Sequence, residues 1–541
     1  MDSRPSPPPR RPNLSRPLII GRRGAVASQH PLATQAGLAA LQAGGNAVDA
    51  AVAVGLALGV VEPHLSGLGG DGFYHVLDAR SGASTVFNGA GAAPAAATAE
   101  RYLAKGPRMP WRGPLSISVP GALGGLAAMH ARFGSKPWRG LVQPAIELAH
   151  EGFGATHHYR VFAAVGRPRL RADPQSAAVY LADGEVPPLG AMVRQPALAA
   201  TLGTIAAEGA DTFFRGPLAR RLADGIARAG GLLSADDLAA CRPEQQAPIV
   251  ATYRGFEMRQ TPPNSMGFAV LQMLRILERF DVAAAGWGSA ELIHLTIEAR
   301  KRAFGDRDRV AGDPRHAAVP VAALLDPAAI AAHVRAIDRD RAAPAAAAPA
   351  AVPGDTSYFA VVDGAGNAVS AIQSLSDAFG SGITAGDTGV LMNNRMVHWH
   401  LAEGHPNRLA PGKRVRQTMC APIVLRDGGL FCVLGTPGGD NQALCQVEAL
   451  VAMIDFGLDP QRAIDAPRWI GPSGAEQPEH IGLERPVPTA VVDELRRRGH
   501  EVRILPERGA VVCLSVIQRD PASGVLMAAS DPRLDGWAAA Y

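Results

Sequence analysis

The sequence is short of several features that mark large classes of protein. Its five cysteines (Cys241, Cys420, Cys432, Cys445 and Cys513) are odd in number and have no CxxC spacing. That pattern argues against a disulfide framework and fits free thiols in a reducing compartment. The net charge is only +4 over 541 residues. Apart from short groups such as Arg10-Arg11 and Arg496-Arg497-Arg498, the basic residues are scattered, so neither nucleic acid nor a membrane surface is indicated as a partner. The most apolar run, Ala47 to Val61, is about fifteen residues long and contains Asp49, too short to span a bilayer. Residues 1–16 are rich in Pro, Arg and Ser and lack an apolar core, which predicts a disordered tail instead of a secretory signal. A soluble, cytoplasmic protein is expected. No internal repeat is evident, and no GxSxG elbow is present.

What is there suits a large layered domain. The chain is 47% hydrophobic and 19% charged, with 60 Gly and 44 Pro, which is ample for a core joined by many tight turns. Helices are predicted at Thr34 to Leu41 and Ala47 to Val61, broken by Gly44-Gly45. The second is apolar on nearly every face and belongs inside the core. The loop Ser66 to Gly72 then precedes a strand, Phe73 to Leu77. Because it lies between helix and strand, close backbone packing is a better reading than phosphate binding. The middle is helix-rich: Gly121 to Phe133, Leu141 to Glu151, Pro196 to Glu208, Pro217 to Ala229, Ser234 to Ala240, Phe268 to Arg279 and Ala290 to Phe304. An Ala/Pro tract, 342–354, reads as an exposed, mobile connector. Strands are predicted at Gly389 to Leu391, Pro422 to Arg426 and Leu430 to Leu434, and a helix at Gln442 to Phe456.

The connector ends at a hydroxyl residue. Ser357 to Val362 is β-branched, aromatic or small, 363–367 supplies turn chemistry, and Ala368 to Leu375 reads as the returning strand of a hairpin. Thr356 is either the first residue of a strand or, after cleavage of the Asp355–Thr356 bond, a new N-terminus. In the second case its hydroxyl is a nucleophile and its own α-amine a nearby base, the parts of a minimal acyl-transfer machine. Further on, Gly435-Thr436-Pro437-Gly438-Gly439-Asp440 joins a strand to a helix. A glycine pair there exposes backbone N–H groups at a helix N-terminus, which suits either an oxyanion hole or a simple entry turn.

Ordered motifs decide between these readings. Gly44-Gly45-Asn46-Ala47-Val48-Asp49-Ala50-Ala51, Gly67-Leu68-Gly69-Gly70-Asp71-Gly72-Phe73, Ser118-Val119-Pro120-Gly121, Glu298-Ala299-Arg300-Lys301 with Asp306-Arg307, Phe379-Gly380-Ser381-Gly382, Gly435 to Gly439 and Ala529-Ser530-Asp531-Pro532-Arg533 occur in sequence. Over roughly residues 24–541 the chain resembles the γ-glutamyltransferase family of N-terminal-nucleophile hydrolases. The resemblance implies an α+β, four-layer αββα sandwich, made as a proenzyme. It would be cut into a large chain, 17–355, and a small chain, 356–541, held together as a heterodimer. It implies Thr356 as nucleophile, Ser374 as supporting hydroxyl, and Gly438 and Gly439 as oxyanion-binding glycines.

The substrate pocket departs from the family pattern. Where γ-glutamyl enzymes carry an arginine for the α-carboxylate, this chain has Ala90, and Gln417-Thr418 replaces the paired serines. The positions that hold the α-amine fall on Ser376, Arg395 and His398. An ammonium facing Arg395 would be repelled in a low-dielectric pocket. The 398–414 segment is shorter than the lid-bearing equivalent and has no tyrosine. These departures, with Glu62-Pro63-His64, Ile372-Gln373-Ser374 and Asn394-Arg395, resemble a divergent branch that includes oxamate amidohydrolases. The expected activity is hydrolysis of a small anionic amide through an acyl-threonine, with Arg395 as carboxylate anchor or, alternatively, as a structural ion pair. Hydrolysis of γ-glutamyl amides, and a non-catalytic binding role, are the alternatives. No cofactor is implied. His398 and His400 flank Trp399 without a third ligand, so no metal site is expected.

Overall fold

The computed structural model describes residues 15–344, 355–472 and 479–541. Residues 1–14 of the expected tail and 345–354 of the connector lie outside them. The described ends of both segments are tied down. Ser15 bonds to Asp465 through its backbone N–H and its hydroxyl. At the start of the connector, Ala342 N–H donates to the Arg498 carbonyl at 2.7 Å and Ala343 N–H to Glu298 Oε1 at 3.1 Å.

Two seven-stranded antiparallel sheets lie face to face with helices on both outer surfaces. The first sheet runs, in spatial order, Trp537–Ala540, Gly24–Ser28, Asp355–Asp363, Ala368–Ser376, Asp71–Leu77, Ser84–Gly89 and Glu244–Gln246. The second runs Ile19–Gly21, Leu526–Ser530, Ser515–Arg519, Gly429–Gly435, Ile423–Arg426, Phe256–Gln260 and Ile249–Tyr253. This is the expected αββα sandwich.

Alternation along the strands divides residues between layers. From the strand that begins at Asp355, Tyr358, Ala360 and Val362 enter the core between the sheets, while Phe359 and Val361 face the helical layer that contains Ala47–Val61. In the second sheet Ile423, Leu425 and Val433 point into the central core, and Val424, Cys432 and Leu434 pack against the other helical layer. A strand buried on both faces needs apolar residues at both parities. The run Tyr358 to Val362 supplies them.

The helix Ala47–Val61 has the predicted bounds and is buried along its whole length. Asn46 and Asp49 form a reciprocal capping box at its start. The predicted strand at Gly389 to Leu391 is not one. Gly389 has φ +71° after a single turn of 3₁₀-helix, and a Cβ there would lie 2.3 Å from Leu198 N, so the chain turns under a helix and contributes only isolated bridges. A helix at His157–Arg171 was not anticipated, because its basic residues and Pro168 mask its periodicity. All five cysteines are free thiols. No helix among the described residues is long and apolar enough to cross a membrane.

One close approach couples the sheets at the strand that carries Thr356. A Cβ at Gly435 would lie 2.3 Å from Cε2 of the buried Tyr358 ring. Gly435→Ala should therefore force the two sheets apart locally, at a cost of about 1–3 kcal/mol. The expected result is a lower apparent melting temperature together with misplacement of the Asp355–Thr356 segment; an unchanged melt would show that the ring yields freely.

Candidate active site

Thr356 is buried, in the second position of its strand. Its neighbour strand pairs Asp355 with Ser376 and Ser357 with Gln373. Thr356 alone therefore opposes two residues, Ser374 and Leu375. This β-bulge re-aims the Ser374 side chain. Ser374 Oγ donates to the Asp355 carbonyl at 2.7 Å and accepts from Ser376 N–H at 2.8 Å. Thr356 and Ser374 are thus brought together at the bond that the sequence reading marks for cleavage. Ser376 has φ +90°, a left-handed conformation that a serine adopts at a cost.

From Ser376 a polar chain continues inward. Ser376 Oγ lies 2.7 Å from His398 Nε2, and His398 Nε2 lies 3.5 Å from an Arg395 terminal nitrogen. Arg395 is among the largest fully buried side chains. Its Nε stands 3.2 Å from Asp71 Oδ2, an ion pair without hydrogen-bond alignment, and its other terminal nitrogen has no partner. Asp71 Oδ1 accepts from Gly91 N–H at 2.8 Å and Oδ2 from Gln417 Nε2 at 2.8 Å. Asp71 is cross-strand partner to Ser374, which returns the path to its start. Burial, then the charges of Arg395 and Arg416, hold His398 well below its ordinary pKa, so its ring is neutral.

Most of the expected pocket residues therefore meet in one network: Ser376, Arg395, His398 and Gln417. Thr418 adjoins Gln417 in the chain but contributes no side-chain hydrogen bond to it. Ala90 is buried, with its N–H held by Asn88 Oδ1. The loop before Asp71 is packed as tightly as its glycines suggested: a Cβ on Gly70 would lie 2.4 Å from the Ser374 carbonyl oxygen.

Gly438 and Gly439 have φ +118° and +55° and lead into the helix Asn441–Ile454. Neither amide N–H donates to another group among the described residues, as an oxyanion-binding turn requires. Asp440 anchors the turn through a buried pair with Arg307 at 2.7 Å. The turn leaves the strand at Gly435, against Tyr358, two residues beyond Thr356.

Three acids escaped the sequence reading as site residues. Asp71 was seen only as part of a glycine loop, although a lone acid in such a loop is a candidate partner for a buried arginine. Asp377, 2.9 Å from Arg169, lies near Asp355, whose carboxyl is raised well above the ordinary range by burial and then by Asp377. Glu62 accepts from Ser357 Oγ at 2.6 Å, directly behind the Thr356 strand.

The family model for gamma-glutamyltranspeptidase matches residues 33–541. The chain belongs to that family. It is 37% identical over 520 residues to a glutathione hydrolase-like YwrD proenzyme of Bacillus subtilis, covering 96% of this chain and 98% of the relative. It is 36% identical over 530 residues to an oxamate amidohydrolase proenzyme of Klebsiella pneumoniae, covering 96% and 99%. Among solved structures, a cephalosporin acylase from Bacillus halodurans superposes with a TM-score of 0.89 at 33% identity, covering 100% of this chain and 99% of that one. This gamma-glutamyltranspeptidase-family chain is therefore an enzyme, an N-terminal-nucleophile amidohydrolase or acyltransferase on the αββα fold.

Burial raises the Glu62 carboxyl to about 8, opposed in part by the Ser357 hydrogen bond. A raised carboxyl pKa means that the folded state holds a proton the unfolded state releases, so this contribution to stability is complete below about pH 4.5 and fades as pH climbs through about 8. Glu62→Gln keeps an acceptor for Ser357 and removes the titration. Between about pH 5 and pH 8 the variant's melting temperature should gain steadily on that of the parent protein and level off above that. Parallel profiles would place the Glu62 proton elsewhere.

Proposed function

We propose that the chain is a proenzyme that cuts its own Asp355–Thr356 bond, and that the released Thr356 hydrolyses the amide of a small carboxylate-bearing substrate. The observation that carries this reading is the Ser374 hydroxyl at 2.7 Å from the Asp355 carbonyl oxygen. A donor there polarises the carbonyl for attack by Thr356 Oγ1. The attack forms an ester to the threonine oxygen and frees the α-amine, and water then cleaves the ester, leaving Asp355 as a carboxyl terminus. In turnover the same hydroxyl attacks the substrate amide, the α-amine takes up its proton, and the leaving nitrogen departs protonated. Water completes the cycle by hydrolysing the acyl-threonine. The Gly438 and Gly439 N–H groups would receive the oxyanion.

The preference for an anionic substrate rests on Arg395. It is fully buried, meets Asp71 through Nε at 3.2 Å, and has one terminal nitrogen without a hydrogen-bond partner. That leaves one edge of a planar fork for a carboxylate. Neutral His398 adds no competing charge and offers no anion for an ammonium. Relatives named glutathione hydrolase-like and oxamate amidohydrolase keep the γ-glutamyl alternative in the test.

Denaturing electrophoresis of freshly purified protein should show two bands split near residue 356. Thr356→Ala should leave one band and no hydrolysis, and Ser374→Ala should slow cleavage by about tenfold or more. A full-length band that is fully active would refute the scheme. On matured enzyme, oxamate should be turned over in preference to a γ-glutamyl anilide, and Arg395→Ala should raise KM for the anionic substrate by about tenfold or more, the loss of a charge-assisted pair. Turnover of the anilide alone, or an unchanged KM, would remove the carboxylate-anchor assignment.

A further inference from the structure

Remote from the Thr356 network, two histidines and a glutamate converge under the start of the connector. His294 and Glu298 stand one helical turn apart on one face of the helix Ala290–Val310. His500 reaches them from beyond the helix Thr489–Arg497. One ligand atom from each can be chosen so that all lie within 4.8 Å of one another. Among the described residues no other group of three His, Cys, Asp or Glu side chains meets that condition. All three are buried.

The hydrogen bonds fix where the lone pairs point. His294 Nε2 is 2.8 Å from the Asp338 carbonyl, which can only accept, so Nε2 carries the proton and Nδ1 of the neutral ring is bare. That bare nitrogen faces His500 Nε2 at 2.8 Å. A ring nitrogen held through its far N–H by a backbone carbonyl is the usual posture of a metal-binding histidine. Glu298 Oε1 is held by Lys301 Nζ at 2.8 Å and by Ala343 N–H at 3.1 Å. Its Oε2 is buried without a hydrogen-bond partner, and an Arg302 terminal nitrogen stands 3.8 Å from it. The His294 Nδ1 lone pair accepts from His500 Nε2–H, so the cost falls on Glu298 Oε2: a buried carboxylate oxygen without a hydrogen-bond partner is unfavourable unless something reaches it.

We propose that His294 Nδ1, His500 Nε2 and Glu298 Oε2 bind a zinc-type divalent cation. Two imidazoles and one carboxylate select such an ion over magnesium or calcium, which take oxygen ligands. On binding, His500 shifts its ring proton from Nε2 to Nδ1, and the cation takes the place of that proton between the rings. Tetrahedral zinc places its nitrogens about 2.0–2.1 Å from the metal and hence about 3.3 Å apart, so the rings, whose nitrogens face each other at 2.8 Å, must separate by about half an ångström and also turn toward a common point. A cavity of about 700 Å³ lined by Lys301, Asp338 and Ala343 reaches the cluster at His500. His294 and Glu298 precede Thr356 in the chain and His500 follows it. The ion would thus clamp the two chains of the matured enzyme beneath the connector. That role rests on the proposed cleavage; binding itself does not.

The test uses Co²⁺ as a spectroscopic probe and Zn²⁺ for stoichiometry, on the full-length protein and on its uncleaved Thr356→Ala form. Both forms should retain about one equivalent of metal after desalting and show the visible d–d band of four-coordinate cobalt, displaced by Zn²⁺ but not by Mg²⁺ or Ca²⁺. His500→Gln and Glu298→Gln should each weaken binding by about tenfold or more. Failure of both forms to retain metal overturns the proposal without recourse to a cluster variant. Equal uptake by a His294→Gln/His500→Gln double variant would assign the metal to surface histidines and overturn it as well. Because Thr356→Ala must bind metal as the parent does, failure of the amidohydrolase reading leaves this result unaffected.

Discussion

The hydrogen bond from Ser374 Oγ to the Asp355 carbonyl is the contact around which the site is arranged. It exists because one residue on the Thr356 strand opposes two on its neighbour, so that Ser374 is turned toward a carbonyl instead of into a regular ladder. The same hydroxyl accepts from the N–H of Ser376, which is left-handed. Its hydroxyl then reaches His398 and, through it, Arg395. A local irregularity in one hairpin thus links the Asp355–Thr356 bond to the buried charge. Regular pairing at this point would break the connection.

The electrostatics follow from burial. Arg395 and Asp71 are both removed from water, and neither charge would persist there alone. Their contact is an imperfect one, through Nε, and one guanidinium terminal nitrogen is left without a hydrogen-bond partner in the interior. Keeping His398 neutral avoids a second positive charge beside it. Behind the strand, Glu62 lies in a similarly dry environment and keeps its proton into the mildly alkaline range. The two sides of Thr356 therefore differ: a charged pair lies along one route and a neutral acid along the other.

The layered fold was legible wherever a local pattern carried it. The helix Ala47–Val61 could be placed from its apolar composition and the Gly44-Gly45 break before it, and the hairpin from its turn chemistry and apolar run. Ser374, Arg395 and the Gly438-Gly439 turn were recognisable through ordered motifs. The partners of these residues were not. Asp71 meets Arg395, and Glu62 meets Ser357, across hundreds of positions in the chain, and no periodicity records which side chains the topology will juxtapose. Gly389 failed for the opposite reason: a strand-like stretch was overridden by the close approach of Leu198. Thr418 shows the limit of adjacency, since its neighbour Gln417 joins the network and it does not.

The strand order carries a consequence of its own. In the first sheet Gly24–Ser28 lies between Trp537–Ala540 and Asp355–Asp363, and in the second Ile19–Gly21 flanks Leu526–Ser530. Segments from before and after Thr356 are interleaved in both sheets, and neither set encloses a core without the other. A nick before Thr356 forfeits one ladder partner, Asp355 with Ser376, while Ser357 to Val362 stay paired with the Ala368–Ser376 strand and Ala360 to Asp363 also with Gly24–Ser28. The two pieces are woven, not docked. A gene split at this codon would ask two halves without cores of their own to find each other unfolded, whereas a single reading frame lets the weave close before any bond is cut.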